Sequence, residues 1–382
     1  MHESPGPASL TRAEIERYSR QLVLPEIGQK GQQKLKNSSV IIIGAGGLGI
    51  PASTYLVAAG VGRIGIVDND IVERSNLHRQ TMYSESDVGG PKASVLREQL
   101  RRVNPHVSVE SHQLKLDSSN ALDLLRTYDV VVDCTDNFPA RYLINDACVL
   151  LRKPDIYASI FRFDGQASVF DAQKGPCYRC LFPEPPPPDT VQDCSVAGVL
   201  GVLPGIMGSI QAAQAINLLV EYGQSLVGRL LLFNATDMAF NEVRVRKNES
   251  CSVCGPHRTI TRLIDYDEFC GTKQAFHVKE VGPKDLKRIL DSGSKVALLD
   301  VRQPFEYEMC HIGGSKLIPF EELERRMGEL EKTAEIVVYC HVGVRSARAA
   351  EFLTSRGFKS IKNLRGGIRA WAQDVDPGMP QY

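Results

Sequence analysis

Val40-Ile41-Ile42-Ile43-Gly44-Ala45-Gly46-Gly47-Leu48-Gly49 joins four consecutive β-branched residues to a glycine-rich turn. The first half reads as a strand buried on both faces, because a strand with one wet face would alternate apolar and polar residues. Gly44, Gly46 and Gly49 satisfy G-x-G-x-x-G, in which the missing side chains let backbone approach a phosphate at a helix N-terminus. A helical pattern then carries Ala52, Leu56 and Ala59, and a second apolar run, Ile64 to Val67, stops at Asp68. Strand, glycine turn, helix and strand make a βαβ unit. Asp68, nineteen residues beyond Gly49, stands where a carboxylate reaches ribose hydroxyls. By themselves these residues suit an ATP site, an NAD-dependent oxidoreductase, or a tight turn without a ligand.

The alternation continues outward from this unit. A polar helix ends near Gln21 on its N-terminal side. Apolar runs at 107–109, 130–133 and 166–170 alternate with helical patterns at about 91–102 and 138–151. That order predicts an α/β fold, a doubly wound, mostly parallel sheet with helices on both faces. Pro183-Glu184-Pro185-Pro186-Pro187-Pro188-Asp189 reads as a stiff surface loop. A second break follows Gly255, and from about residue 276 a new series begins, with strand-like runs at 296–300 and 336–340 and a helical pattern from Ser346 to Ser355. The expected organisation is a first domain over 1–258, a linker over 259–275, and a smaller α/β domain over 276–382.

The 382 residues are 43% hydrophobic and 24% charged, an ordinary globular composition that excludes fibrous and disordered readings. Lys plus Arg and Asp plus Glu number 45 each, so no net field steers the chain toward nucleic acid or an anionic membrane. Ser195 to Val220 carries no charge, but Pro204, Ser209, Gln211, Gln214 and Asn217 fit a core helix better than a lipid-facing span. The start, Met1-His2-Glu3-Ser4-Pro5, has no basic patch leading into an apolar run, and the expected location is cytoplasmic.

Charged residues separate the readings of the glycine turn. Ser75-Asn76-Leu77-His78-Arg79-Gln80 and Lys92 follow the second strand, and Asp136-Asn137 follow the run ending at Asp133. Two cations suit a triphosphate better than a dinucleotide, and a nearby carboxylate suits Mg²⁺; taken singly, Arg79 and Lys92 read equally as surface charges. Together with Arg17-Tyr18-Ser19-Arg20-Gln21, Asp68-Asn69-Asp70 and Asp133-Cys134-Thr135-Asp136-Asn137, these motifs resemble the MoeB/ThiF family, relatives of ubiquitin-activating enzymes, over most of residues 10–258. The resemblance implies a Rossmann-like fold and adenylation of the C-terminal glycine of a small ubiquitin-like sulfur-carrier protein ending in Gly-Gly. It also implies that Gly47, Asp68, Ser75, Asn76, Leu77, His78, Arg79, Lys92, Asp136 and Asn137 bind ATP and its Mg²⁺. In such homodimers an arginine from the partner subunit's N-terminal helix reaches the triphosphate, and Arg20 holds that place.

Ten cysteines scattered through the chain do not make a disulfide scaffold. Cys177-Tyr178-Arg179-Cys180 and Cys251-Ser252-Val253-Cys254 supply two C-x-x-C pairs, the ligand set of a closed structural Zn²⁺ site. Cys194, between the proline loop and the uncharged segment, matches a loop cysteine that in some relatives forms a thioester or acyl-persulfide with the carrier, although a single cysteine also reads as dispensable.

Cys340 ends an apolar strand, and His341-Val342-Gly343-Val344-Arg345-Ser346 leads into a helix. Such a turn aims backbone N–H groups and a positive helix end at the sulfur, stabilising a thiolate or persulfide; the bland alternative is a buried strand-end cysteine. Only four residues separate Cys340 from Arg345, one fewer than in a cysteine phosphatase. With Asp300-Val301-Arg302-Gln303-Pro304-Phe305-Glu306, His311-Ile312-Gly313-Gly314-Ser315 and Gly366-Gly367-Ile368-Arg369-Ala370-Trp371, the loop resembles a rhodanese over roughly 276–375. The fusion is similar to MoeZ-type proteins and molybdopterin-synthase sulfurylases. It implies a carrier adenylate that receives sulfur from a Cys340 persulfide, itself charged by thiosulfate or a cysteine desulfurase. A different class of reading is a protein-binding module with a regulatory nucleotide site.

Overall fold

The computed structural model describes residues 9–186, 198–271 and 278–382. The chain divides into two compact units, Met1–Lys273 and Gln274–Tyr382. Cys194 and residues 187–189 of the proline loop lie outside the described residues.

The first unit is built on strands β1 (Ser39–Ile43), β2 (Arg63–Val67), β3 (Ser108–His112), β4 (Val130–Asp133), β5 (Asp155–Phe161), β6 (Asp164–Phe170), β7 (Arg229–Asn234) and β8 (Ala239–Arg244). They form one sheet in the order β3-β2-β1-β4-β5-β6-β7-β8. The βαβ reading holds: β1 pairs in parallel with β2, Ile41 opposite Gly65, and with β4, Ile41 opposite Val131. All five residues of β1 are buried, as its unbroken apolar run requires. From β5 onward the sheet turns antiparallel.

The glycine turn shows why its spacing is demanding. Gly44 has φ of +103°, open to glycine at little cost, and a Cβ on Gly49 would sit 1.8 Å from the Gly44 carbonyl oxygen. The Gly49–Ala59 helix therefore starts hard against the end of β1, and its N-terminus faces the C-terminal edge of the strands. The uncharged segment becomes the Leu203–Val220 helix, packed on Gly49–Ala59 and on β5. It is long and apolar enough to span a membrane by length and composition, but half of it is buried inside this unit. Gln211 explains one of its polar residues: Nε2 donates to the carbonyls of Asp133 at 2.6 Å and Ile156 at 2.9 Å, satisfying backbone buried beneath the helix.

The expected linker requires correction. Within 259–275, Leu263, Ile264 and Phe269 pack on the core around the Phe138–Leu151 helix, and Tyr266 is 4% exposed. Tyr142 and Phe269 meet edge to face at 5.1 Å. The short helix Tyr266–Phe269 has one turn, too few to show a period in the sequence, and its burial comes entirely from tertiary contact.

The second unit is a five-stranded parallel sheet ordered β11-β10-β12-β13-β9, with β9 at Lys279–Val281, β10 at Val296–Asp300, β11 at Lys316–Leu317, β12 at Glu335–Tyr339 and β13 at Ser360–Leu364. Central β12 feeds both faces: Ile336 and Val338 join one core cluster, Val337 and Tyr339 the other. Cys340 follows its last residue, at the point from which the Val344–Ser355 helix departs.

Candidate active site

In the first unit a cavity of about 1280 Å³ opens over the C-terminal ends of the parallel strands. Gly44, Gly46 and Gly47 form its floor, and Asp68, Asn76, Arg79, Lys92, Asp136 and Asn137 line it. Seven of the ten residues expected to bind nucleotide thus meet in one place. Asp68 is tied to the turn, its Oδ2 accepting from the Ala45 N–H at 2.7 Å and its Oδ1 from the Asp70 N–H at 2.8 Å. Burial pushes its carboxyl above the usual range, against those two N–H groups and the charge of Lys92. Lys92, 8% exposed, donates from Nζ to Asp70 at 3.0 Å. Arg79 Nη1 donates to the Ser75 carbonyl at 3.0 Å.

Asn137 caps the Phe138–Leu151 helix, accepting from the Ala140 N–H at 3.0 Å, so that helix also points its positive end at the cavity beside Asp136. Asn76 Oδ1 and Gln80 Oε1 are buried on this lining without a hydrogen-bond partner. Such atoms fit a polar ligand that completes their bonding. Ser75, Leu77 and His78 do not line the cavity: Leu77 packs on the core behind it, and Ser75 serves through its carbonyl to Arg79. Arg20 is exposed on the short Ser19–Leu22 helix.

The four cysteines of the two C-x-x-C pairs converge. Sγ separations are 3.8 Å for Cys177–Cys180, 3.5 Å for Cys177–Cys251 and 3.4 Å for Cys180–Cys254. All four sulfurs lie within 4.8 Å of one another. A tetrahedral cage with Zn–S bonds of about 2.3 Å requires sulfurs roughly 3.7 Å apart, so the donor set fits zinc with no position left for water. Arg179, inside the first pair, is 1% exposed and makes a bidentate pair with buried Asp146 at 2.8 and 2.9 Å. Tyr266 Oη donates to the same carboxylate at 2.8 Å. The cysteine knuckle and the segment 262–267, which forms one wall of the nucleotide cavity, are thus fastened to one ion pair.

In the second unit Cys340 is 1% exposed. The Gly343 N–H donates to its sulfur at 3.2 Å, and Ser346 Oγ lies 3.4 Å away while donating to Asn363 at 2.7 Å. Arg345 forks onto Glu306 at 3.0 and 2.8 Å. Burial alone would pull this guanidinium down; the Glu306 contact holds it above its ordinary value. Arg302 and Asp300, both fully buried, pair through Nε and Nη2, and Arg302 Nη2 also holds the Cys310 carbonyl at 2.8 Å. Neither bonds to the sulfur; both tie the segment 303–310 to the end of β10.

Residues 18–253 match the ThiF family, and residues 282–374 match the rhodanese-like domain. The chain belongs to the ThiF family. It is 45% identical, over 98% of its length and 97% of the relative's, to the probable adenylyltransferase/sulfurtransferase MoeZ of Mycobacterium tuberculosis. It is 44% identical, over its whole length and 88% of the relative's, to the adenylyltransferase and sulfurtransferase MOCS3 of Drosophila yakuba. A crystal structure of E. coli MccB with ATP superimposes with a TM-score of 0.57 at 26% identity, covering 66% of this chain and 77% of that one. Relatives named as transferases support neither an oxidoreductase nor a binding module.

The ThiF-family motifs did not single out Arg141, which lines the cavity one turn into the Phe138–Leu151 helix. Its Nη2 donates to the Thr135 carbonyl at 3.2 Å and its guanidinium lies 5.6 Å from the Tyr157 ring centre, while Nε is buried without a partner. Its position four residues after a capping Asn137 was the available signal. Lys115, from an irregular segment, and Asp265 and Asp267, from the cap and single turn of the Tyr266–Phe269 helix, are also on the lining and left none.

Proposed function

We propose that the first unit adenylates the C-terminal glycine of a ubiquitin-like sulfur-carrier protein and that Cys340 then supplies sulfur to it, giving a thiocarboxylate. The observation carrying this reading is the presence, on one chain, of a cavity floored by the glycine turn and lined by Arg79, Lys92 and Asp136, and of a sulfur held by the Gly343 N–H. Glycines 44 to 49 let backbone approach the phosphates of ATP, and Asp68 takes the ribose. Arg79, Lys92 and Arg20 from the partner subunit of a homodimer neutralise charge as the carrier's carboxylate attacks the α-phosphorus and pyrophosphate leaves. Asp136 and Asn137 are the residues that would hold Mg²⁺, whose chemistry is to offset charge on the leaving pyrophosphate.

In the second half, thiosulfate or a cysteine desulfurase loads Cys340 with sulfane sulfur. The terminal persulfide sulfur attacks the acyl-adenylate carbonyl, AMP leaves, and an acyl disulfide joins carrier to Cys340. A thiolate, assigned to Cys194, attacks the Cys340 sulfur of that bond. The thiocarboxylate departs, and a Cys194–Cys340 disulfide remains for an external thiol to reduce. Cys177, Cys180, Cys251 and Cys254 would hold zinc for structure. The cytoplasm, where thiols stay reduced, is the proposed location.

The test is ATP–pyrophosphate exchange in the presence of carriers ending in Gly-Gly, followed by intact mass of the carrier after adding thiosulfate. Exchange that requires the carrier, and replacement of one carrier oxygen by sulfur, are the expected results. A carrier of unchanged mass with no nucleotide consumed would overturn the reading.

A further inference from the structure

The segment Pro380 to Tyr382 returns to the sulfur loop. The Tyr382 ring stacks on His341, the residue after Cys340, with centroids 4.5 Å apart and planes 12° from parallel. Its hydroxyl accepts from Arg302 Nη1 and donates to Glu306 Oε1 at 3.1 Å. That oxygen also accepts from Arg345 Nη2 at 2.8 Å. The other Glu306 oxygen takes Arg345 Nη1 at 3.0 Å and the Gln303 N–H at 2.8 Å. One phenol therefore bridges two arginine–carboxylate pairs and completes a carboxylate holding four donors. Cys310 Sγ, donating to the Pro380 carbonyl at 3.4 Å, fastens the segment from the other side.

We propose that Tyr382 is a positioning residue for sulfur transfer: through Glu306 it fixes the guanidinium plane of Arg345, and through its ring it fixes His341, so that the Cys340 loop is preformed for an anionic sulfur donor. Arg345 follows in the same turn, two residues beyond the Gly343 N–H that holds the sulfur, and a charged Cys340 adds to the pull of Glu306 on its guanidinium. A free arginine fork has many rotamers, whereas one locked at both Nη groups presents a single field to the donor. His341 is 8% exposed, and burial pushes it below its usual pKa; a hydrogen bond to the Tyr382 backbone and the charge of Glu306 act against that, and Arg369 and Arg345 act with it. It is thereby held as a neutral ring that stacks rather than as another cation competing for Glu306.

This inference rests on Cys340 being the sulfur-carrying residue, and the experiment separates the two. Steady-state transfer from thiosulfate to cyanide is measured for the full chain and for Tyr382→Phe and Tyr382→Ala, with ATP–pyrophosphate exchange and the melting profile followed alongside. The Phe variant keeps the stack and loses the bridge; it is expected to raise KM for thiosulfate about threefold with kcat unchanged, a loss of binding alone. The Ala variant loses both and is expected to raise KM about tenfold and also to lower kcat. A merely structural role would reduce kcat with the folded fraction and leave KM where it was. Unchanged KM in both variants, with the wild type active, would overturn the inference alone. A wild-type chain that transfers no sulfur would overturn the reading of Cys340 and this inference with it.

Discussion

The two reactive centres differ in how far their polar groups are satisfied. Around the nucleotide cavity, Asn76, Gln80 and Arg141 each leave a buried nitrogen or oxygen without a partner, and Asp133 and Asp155 do so on adjacent strands beneath it. Around Cys340, Glu306 accepts four hydrogen bonds and Arg302 is bound on every nitrogen. A large, highly charged ligand brings its own partners, so an unfinished lining is what binds it. A single sulfur atom brings almost none, so its surroundings must be complete beforehand. The carboxylates record the same contrast. Burial pushes Asp133 and Asp155 up, the charge of Asp133 adding to the rise at Asp155 while Arg141 and Thr135 act against the rise at Asp133; Glu306, which burial would also raise, is held low by Arg345 and the Gln303 N–H.

The sharpest way to break this contrast is to show that the centres are not separable. Cys340→Ala is expected to abolish sulfur transfer entirely, since it removes the atom proposed to carry the sulfur, while ATP–pyrophosphate exchange stays at the wild-type rate. A parallel loss of exchange would sink the division of labour. Asp136→Ala and Lys92→Ala are expected to lower exchange by about 10² to 10³-fold, the usual cost of one preorganised charge, and to leave thiosulfate–cyanide transfer unchanged. Exchange at the normal rate in either variant would remove that residue from the site.

Stability gives smaller but cleaner separations. Cys180→Ser is expected to release zinc and lower the melting temperature of the first unit's transition by about ten degrees or more, the second unit melting as before. Since Arg179, next to Cys180, shares Asp146 with Tyr266 of the cavity wall, the same variant is expected to weaken ATP binding by a few-fold, read by titration with ATP. Zinc-free protein with an unmoved transition would show that the cysteine cluster is idle.

The carboxylates give the finest test, through pH. A carboxyl whose folded pKa is raised contributes stability below its unfolded value near 4 and loses it as pH climbs through the folded value. Asp155→Asn is therefore expected to raise the first transition by a few degrees at neutral pH, with the advantage shrinking toward pH 4. Glu306 runs the opposite way: its contribution is present above its unfolded value near 4.3 and is lost as pH falls through the depressed one. Melting followed from pH 7 down to pH 3 should thus narrow the gap between Asp155→Asn and wild type while lowering the second transition. A second transition that does not move would mean Glu306 is not ionised against Arg345.

Much of this protein was settled along the chain. Four β-branched residues in a row read as a strand buried on both faces, and Gly44 and Gly49 after them are dictated by backbone clearance that no other residue provides. The paired C-x-x-C spacings and the four-residue interval from Cys340 to Arg345 are likewise local, because they are fixed by the geometry of a metal and of one turn. Tertiary structure alone decided what depends on distant chain meeting. Strand β8, exposed from Phe240 to Arg244, has no apolar run to announce it and exists because β7 offers an edge. The wall at 262–267 is part of the site only because Tyr266 finds Asp146, 120 residues earlier. Tyr382 matters only because the fold lays it on His341. Local order follows from backbone sterics and side-chain period, which each residue carries with it, whereas completing a buried charge depends on partners that only the folded chain brings within hydrogen-bond reach.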